Sequence, residues 1–138
     1  MPTSYATAAA METPKQQARA QFERMAAFLE SPEAMAMAHT EMEQWLGAEG
    51  RELQRRLLQQ HCDLRAEAEH RLPRVRGADG EQRQRARVRS RQLGSMFGSV
   101  TVLRLAYEAD GVSSLHPLDA GLNLPPGHYS YGDTTSSL

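Results

Sequence analysis

The sequence contains little cysteine, lysine or aromatic residue. Of its 138 residues, one is cysteine (Cys62), one is lysine (Lys15) and eight are aromatic. A single cysteine cannot form an internal disulfide, and no cysteine or histidine group has the spacing of a zinc site. No apolar run approaches the roughly 18 residues of a membrane helix, and the apolar stretch near the N-terminus is too short for a signal peptide. The sequence therefore predicts a cytoplasmic protein without a cofactor.

The formal net charge of -1 hides a concentrated basic segment. Between Arg71 and Arg104 there are nine arginines but only two acidic residues, Asp79 and Glu81. A segment of this kind can hold a polyanion locally even when the whole chain is nearly neutral. The preference for arginine over lysine suits phosphate and guanine recognition, but it is equally expected from codon bias in a GC-rich genome.

Helical periodicity dominates the first half of the chain. Residues 1–14 have no periodicity and are predicted to be a disordered leader, and residues 15–72 are predicted to form a helical hairpin. In its first helix, 15–29, Phe22 and Leu29 fall on one face. Ser31-Pro32 then indicates either a stop or a helix N-cap followed by proline.

A longer helix is expected over residues 40–71. Thr40 and Glu43 have the spacing of a capping box, and Leu72-Pro73 predicts the end of the helix. Trp45 is predicted to anchor the small core between the two helices. Acidic residues on the exposed face of this helix, Asp63, Glu67 and Glu69, are expected to be solvated.

From residue 73 to residue 108 the period changes to that of a β-strand. Asp79-Gly80 predicts a hairpin turn, and arginine occupies every second position from Arg83 to Arg91. On a strand these five guanidinium groups share one face, with about 6.6 Å between neighbours; a helix, which the Gln, Arg and Ala content also allows, scatters them. Phe97-Gly98 is a second turn candidate, before a strand over 100–107 that is apolar on both faces.

The sequence thus predicts an α+β fold, with a helical hairpin followed by a small antiparallel sheet. Residues 109–138 contain several prolines and glycines and are predicted to form a loop-rich tail, of which the end after Gly132 has no folding signal and is expected to be mobile. Within it, Asp119 is expected to hold its own turn through an Asx-type backbone contact.

Five motifs follow one another along residues 30–132: GRELQRRLLQQH from residue 50, GADG from 77, SRQL from 90, FGSVTVLRLAY from 97 and LHPLDAGLNLPPGHYS from 115. In their order and spacing they resemble the N-terminal region of Kra-type insertion-sequence transposases. The resemblance implies a helical segment and a β-hairpin region that precede a catalytic domain of the acidic-triad class. Because the triad is expected beyond the family motif at Tyr129–Gly132, the chain is interpreted as a truncated, non-enzymatic fragment in the bacterial nucleoid.

The alternating arginines are the main functional candidates. A charged row of this kind either shields an exposed sheet edge from aggregation or neutralises a polyanion; because like charges on one face repel, we expect contact with the duplex DNA of the element ends. The candidate DNA-binding residues are Arg83, Arg85, Arg87, Arg89 and Arg91, with Arg74, Arg76 and Arg104. The alternatives are a module that pairs with itself or with full-length transposase through the 40–71 helix, and an inert remnant of a decayed insertion sequence.

Overall fold

A computed structural model of the chain describes residues 12–127 and confirms the predicted α+β class. Most of the predicted leader (1–11) and the end of the predicted tail (128–138) lie outside the described residues. The chain divides into two compact units, Met1–Gln60 and His61–Leu138. This division falls inside the long helix, whereas the predicted boundary lay at its end, near residue 72.

Helices precede strands along the described chain. The helices of the first half are α1 (Pro14–Leu29), α2 (Pro32–Met35) and α3 (His39–Ala68). The strands are β1 (Val75–Arg76), β2 (Gln82–Arg83), β3 (Arg85–Ser95), β4 (Gly98–Ala109) and β5 (Val112–Leu115), and a short α4 (Pro117–Gly121) follows. Within 12–127, no helix has the length and apolar character needed to cross a membrane.

The helix starts follow capping chemistry, at positions that were only partly predicted. Thr13 and Gln16 form a capping box at the start of α1, which begins one residue earlier than expected. The Ser31 hydroxyl accepts from the Ala34 N–H, so Ser31-Pro32 is the predicted N-cap.

The capping box predicted at Thr40 and Glu43 is wrong. The helix begins one residue earlier, at His39, and it is the Ala38 N–H that donates to a carboxylate three residues on, that of Glu41. Glu43 instead contacts the His39 ring nitrogen at 2.7 Å. At the other end, α3 stops at Ala68, three residues before the predicted position.

In the first unit, α1 and α3 pack antiparallel. The Phe28 and Trp45 rings stack at 4.3 Å between centroids, as expected of a Trp45 anchor. Gln21 donates to Glu49, and the Arg56 guanidinium donates to the Gln17 carbonyl oxygen at 3.1 Å. Because contacts move backward along α1 as they move forward along α3, the two helices form the predicted hairpin.

In the second unit, β3, β4 and β5 form an antiparallel sheet in that order. The β3–β4 register runs from Arg85 opposite Glu108 to Ser95 opposite Gly98. One face of the sheet buries Leu93 and the apolar residues of β4 that were predicted to share that face, Val100, Val102 and Ala106. Alternation along a strand explains this division.

The other face of β4 contacts the segment that leads from α3 to the sheet. The Leu72 N–H donates to the Tyr107 hydroxyl at 2.7 Å, and the Leu105 N–H donates to Glu69 at 2.8 Å. The prediction that Glu69 is a solvated carboxylate is therefore wrong, since it accepts from a strand backbone. The expectation of loop throughout 109–138 is also wrong, because that range contains β5 and α4.

A small hairpin made by β1 and β2 turns at Gly80, as Asp79-Gly80 predicted. Val75 lies opposite Arg83, and Gly80 has a φ of 81°, a conformation that favours glycine. The turn is closed by a backbone hydrogen bond from Gly77 to Glu81 of 3.1 Å.

Replacing either of two glycines with alanine should change the stability of the protein, in opposite directions. A Cβ on Gly47, in α3, would meet nothing within 4 Å, so Gly47→Ala should raise the free energy of unfolding by about 0.5–1 kcal/mol through its helix propensity. A Cβ on Gly77 would lie 2.5 Å from an Arg83 nitrogen, so Gly77→Ala should lower it by about 1–3 kcal/mol. Urea denaturation measures both; equal effects of the two changes would contradict the described backbone.

Candidate nucleic-acid interface

Strand β3 carries three exposed arginines on one side of the sheet. Arg85, Arg87 and Arg89 alternate along the strand, and their side chains are 57%, 59% and 48% exposed. β3 is at the edge of the three-stranded sheet, so these side chains project from an outer strand. We call Arg85, Arg87 and Arg89 the arginine face.

Carboxylates from the next strand and turn accompany the arginine face. Glu108 accepts from Arg87 at 3.1 Å and from Arg89 at 3.2 Å, while Asp110 lies 2.8 Å from Arg85. The expectation that these arginines form an uncompensated row is therefore wrong. Three guanidinium groups share two carboxylates, which leaves an excess of one positive charge.

Arg91 continues the row but is held differently. It lies 3.1 Å from Asp119 and also donates to the carbonyl oxygens of Pro125 and Gly127, so that only 12% of its side chain is exposed. Arg104, across the same face, lies 3.3 Å from Asp119. Asp119 is thus the shared counter-ion of two arginines, and the prediction that it makes a local Asx-type contact is wrong.

His116 lies within the electrostatic influence of this pair. Burial lowers the pKa of His116, and the positive charge of Arg104 lowers it further. Protonation of the ring is thereby disfavoured, chiefly because the ring is partly buried.

Arg83 has a structural environment. Its side chain is 1% exposed, and it donates to both carboxylate oxygens of Asp79 at 2.8 Å and to the Ser113 carbonyl oxygen. A separate short strand, β2, holds it, because the ladder breaks at Gln84 before β3 begins. The prediction that Arg83 shares one open face with the other four arginines is wrong for this reason.

The remaining candidates lie apart from the arginine face. Arg74 and Arg76 are exposed at the start of the β1–β2 hairpin. The structure therefore brings together Arg85, Arg87 and Arg89, places Arg91 and Arg104 on the same face of the sheet as a nearly buried pair, and separates Arg83, Arg74 and Arg76 from them.

Sequence reasoning missed Glu108 and Asp110 as partners of the arginines. A signal for them was present, because the turn predicted at Phe97-Gly98 fixes the register. A two-residue loop at 96–97 pairs Ser95 with Gly98, and counting back along both strands brings Arg85 opposite Glu108. Residues directly opposite in an antiparallel pair lie on the same face and interact.

Among residues 12–127, no group of three or more histidine, cysteine or acidic side chains is arranged to hold a metal ion. Comparisons with protein-family models, with curated proteins and with solved structures found no match. The resemblance to Kra-type transposases therefore stays a prediction from the sequence motifs.

The Asp79–Arg83 pair predicts an acid-dependent stability. Hydrogen bonds from Arg83 and from the Glu81 N–H lower the pKa of Asp79 from 3.8 to about 2. A carboxylate with a lowered folded-state pKa stabilises the fold above its unfolded pKa, and this contribution is lost as the pH falls through about 2. In Asp79→Asn, the free energy of unfolding should be lower at neutral pH and should fall less between pH 4 and pH 2.

Urea denaturation at a series of pH values measures this difference. Glu52, whose pKa the hydrogen bond from Arg55 lowers to about 2, titrates over the same range. Because Glu52 is present in both proteins, the difference between them isolates Asp79. Parallel pH profiles would show that Asp79 does not stabilise the fold through its charge.

Proposed function

We propose that this chain is a duplex-DNA-binding module and that the arginine face is its contact surface. The observation that carries the proposal is the alternation of three half-exposed guanidinium groups on one strand face, about 6.6 Å from neighbour to neighbour. Guanidinium groups bind phosphate oxygens through charge-assisted and often bidentate hydrogen bonds. An extended row of them suits a regularly charged backbone better than it suits a single small anion.

The neighbouring carboxylates weaken this surface but leave it available to DNA. The ion pair between Arg85 and Asp110 is exposed, and such pairs contribute only about 0–1 kcal/mol, so a phosphate can displace Asp110 at small cost. Glu108 is shared between Arg87 and Arg89 and is only 15% exposed, so it competes with phosphate more strongly. Release of condensed counterions from DNA supplies a driving force that the internal pairs lack.

The motif resemblance suggests the process in which this surface acts. In this proposal the chain acts in the bacterial cytoplasm as the end-binding N-terminal part of a Kra-type insertion-sequence transposase, and strand cleavage belongs to a separate acidic-triad domain. Contacts with phosphates fix position and register without reading sequence. The arginine face therefore supports modest sequence preference.

Duplex binding should respond to salt in proportion to the number of phosphate contacts. If all three arginines engage phosphates, the slope of log K against log salt should include about -2.7 from this face, at roughly -0.9 per contact. The triple change Arg85→Ala, Arg87→Ala and Arg89→Ala should then flatten the slope by about that amount. Fluorescence anisotropy of a labelled duplex across a salt series measures both slopes.

The matched control changes the same three arginines to lysine. Lysine keeps the charge, so the slope should stay near that of the wild type, although bidentate hydrogen bonds are lost. Circular dichroism checks that each variant is folded. Absence of duplex binding at low salt, or identical slopes for the alanine variant and the wild type, would leave the arginine row as charge that shields a sheet edge.

The shared carboxylate predicts a change in the opposite direction. Glu108→Gln removes the charge that Arg87 and Arg89 hold, while it keeps the size of the side chain. DNA affinity should rise at least about threefold, since the two ion pairs of the largely buried Glu108 no longer compete with phosphate.

Glu67→Gln is the control for Glu108→Gln. It makes the same change in net charge on the exposed surface of α3, so it should alter affinity much less. Anisotropy at one fixed salt concentration compares the three proteins. An equal gain from both substitutions would assign the effect to net charge and would contradict a local role for Glu108.

A further inference from the structure

The first unit of the chain contains helices but almost no apolar core. Its buried residues within 12–60 are Ala18, Gln21 and Ala34, two of which are small and one of which is polar. In contrast, Phe22 is 56% exposed and Leu57 is 47% exposed. Helices in proteins are stabilised mainly by packing of an apolar face, so a hairpin of this composition has surface that remains to be covered.

These apolar side chains line one continuous groove between α1 and α3. Phe22 and Ala18 lie on the α1 side, and Leu53 and Leu57 lie on the α3 side. Helical periodicity extends the same two lines toward the α1–α2 connection. Leu29 is seven residues after Phe22, and Leu46 is seven residues before Leu53, so each lies on the same helix face as its counterpart. Both leucines are exposed.

The two ends of this groove carry opposite charges. Lys15 and Arg19 line it where α1 begins, and Glu23 lines it one turn after Arg19. At the other end, Glu30, the C-cap of α1, is eleven residues after Arg19, and Glu43 is fourteen residues before Leu57, so both positions continue the groove faces. Between Ala27 and Glu43 there are four glutamates and no lysine or arginine. We call this surface, from Lys15 and Arg19 to Glu30 and Glu43, the hairpin groove.

We propose that the hairpin groove binds the hairpin groove of a second copy of this chain, about a two-fold axis, to form an antiparallel four-helix assembly. A two-fold axis through the middle of the groove places the basic end of each copy on the acidic end of the other. A parallel arrangement places acid on acid and base on base. The charge pattern therefore matches its own two-fold image, which is the property that an isologous interface needs.

The apolar residues support the same occupant. In the two-fold arrangement, α1 of one copy lies over α1 of the other and α3 over α3, so Phe22 near the centre meets its equivalent. Leu46 of one copy then lies level with Leu53 and Leu57 of the other. Helix pairs that each expose an apolar stripe form a bundle core when two pairs associate. This inference goes beyond DNA binding and does not depend on it, since the arginine face lies on β3 of the second unit.

The oligomeric state of the full 138-residue chain tests the proposal. Sedimentation equilibrium should give twice the 15.4-kDa chain mass. Leu57→Lys should shift the chain toward monomer and raise the dissociation constant of the dimer at least about tenfold. Met35→Lys changes a residue that is more exposed but lies on α2 outside the groove, so the dimer should persist. A monomeric wild type, or equal effects of the two lysine substitutions, would overturn the proposal.

Charge reversal tests the antiparallel arrangement separately from apolar packing. One variant, Lys15→Glu with Arg19→Glu, has two acidic ends, and the other, Glu30→Lys with Glu43→Lys, has two basic ends. Each alone should dimerise at least about tenfold more weakly, because like charges then meet. A mixture of the two should form heterodimers with affinity near that of the wild type.

Two further outcomes are decisive. Charge-reversed variants that dimerise as tightly alone as together would show that the copies do not pair end to opposite end. The arginine-face alanine variant should remain a dimer, so a dimer lost in that variant would show that association uses β3 and would overturn the assignment to the hairpin groove. Loss of DNA binding with an intact dimer would affect only the proposed function.

Discussion

The register of the β3–β4 pair is the constraint on which the second unit depends. A turn of two residues joins Ser95 to Gly98, and the ladder that follows places Arg85 opposite Glu108. A slip of one residue would turn every side chain of β3 to the other face. It would move Leu93 out of the core and place the arginine face against the apolar side chains that now pack with the α3 segment. Burial of Val100 and Val102 therefore fixes the position of the arginines as well.

The same register explains why arginines at equal spacing have different environments. Near the turn, Arg91 reaches Asp119 and the carbonyl oxygens that follow α4, whereas Arg85, Arg87 and Arg89 lie farther from the turn and pair with Glu108 and Asp110. Beyond the break at Gln84, Arg83 turns inward and joins the β1–β2 hairpin to Ser113. Alternation in sequence specifies a face, but the neighbouring elements decide which charges remain accessible.

The sequence was sufficient for the class of fold, since the helical and alternating periods are distinct and Asp79-Gly80 marks a turn by its backbone chemistry. It was insufficient wherever a residue distant in the sequence determines the environment of a side chain. Glu69 resembles any exposed helix carboxylate until the Leu105 N–H is placed beside it, and Asp119 resembles a turn residue until Arg91 and Arg104 converge on it. The start of α3 was misplaced because the Ala38 N–H donates to Glu41, the same three-residue spacing that had been expected of Thr40 and Glu43. For the candidate site, local periodicity predicted the three exposed arginines, while their counter-ions required the register.

The two units expose different kinds of surface, and these surfaces suit different partners. The first unit leaves phenylalanine and leucine side chains on its surface, and the contact that resolves this is apolar. The second unit has a buried core and exposes the charge of the arginine face, together with apolar side chains such as Val88 and Leu103. Under the two proposals, one surface is covered by a second copy and the other contacts DNA, so each assembly carries two arginine faces. A surface with one net positive charge binds a duplex weakly alone, but where two joined surfaces engage the same duplex, the second contact is intramolecular and raises the affinity without any new interaction. Association through the helices would thus compensate for the carboxylates that weaken each arginine face.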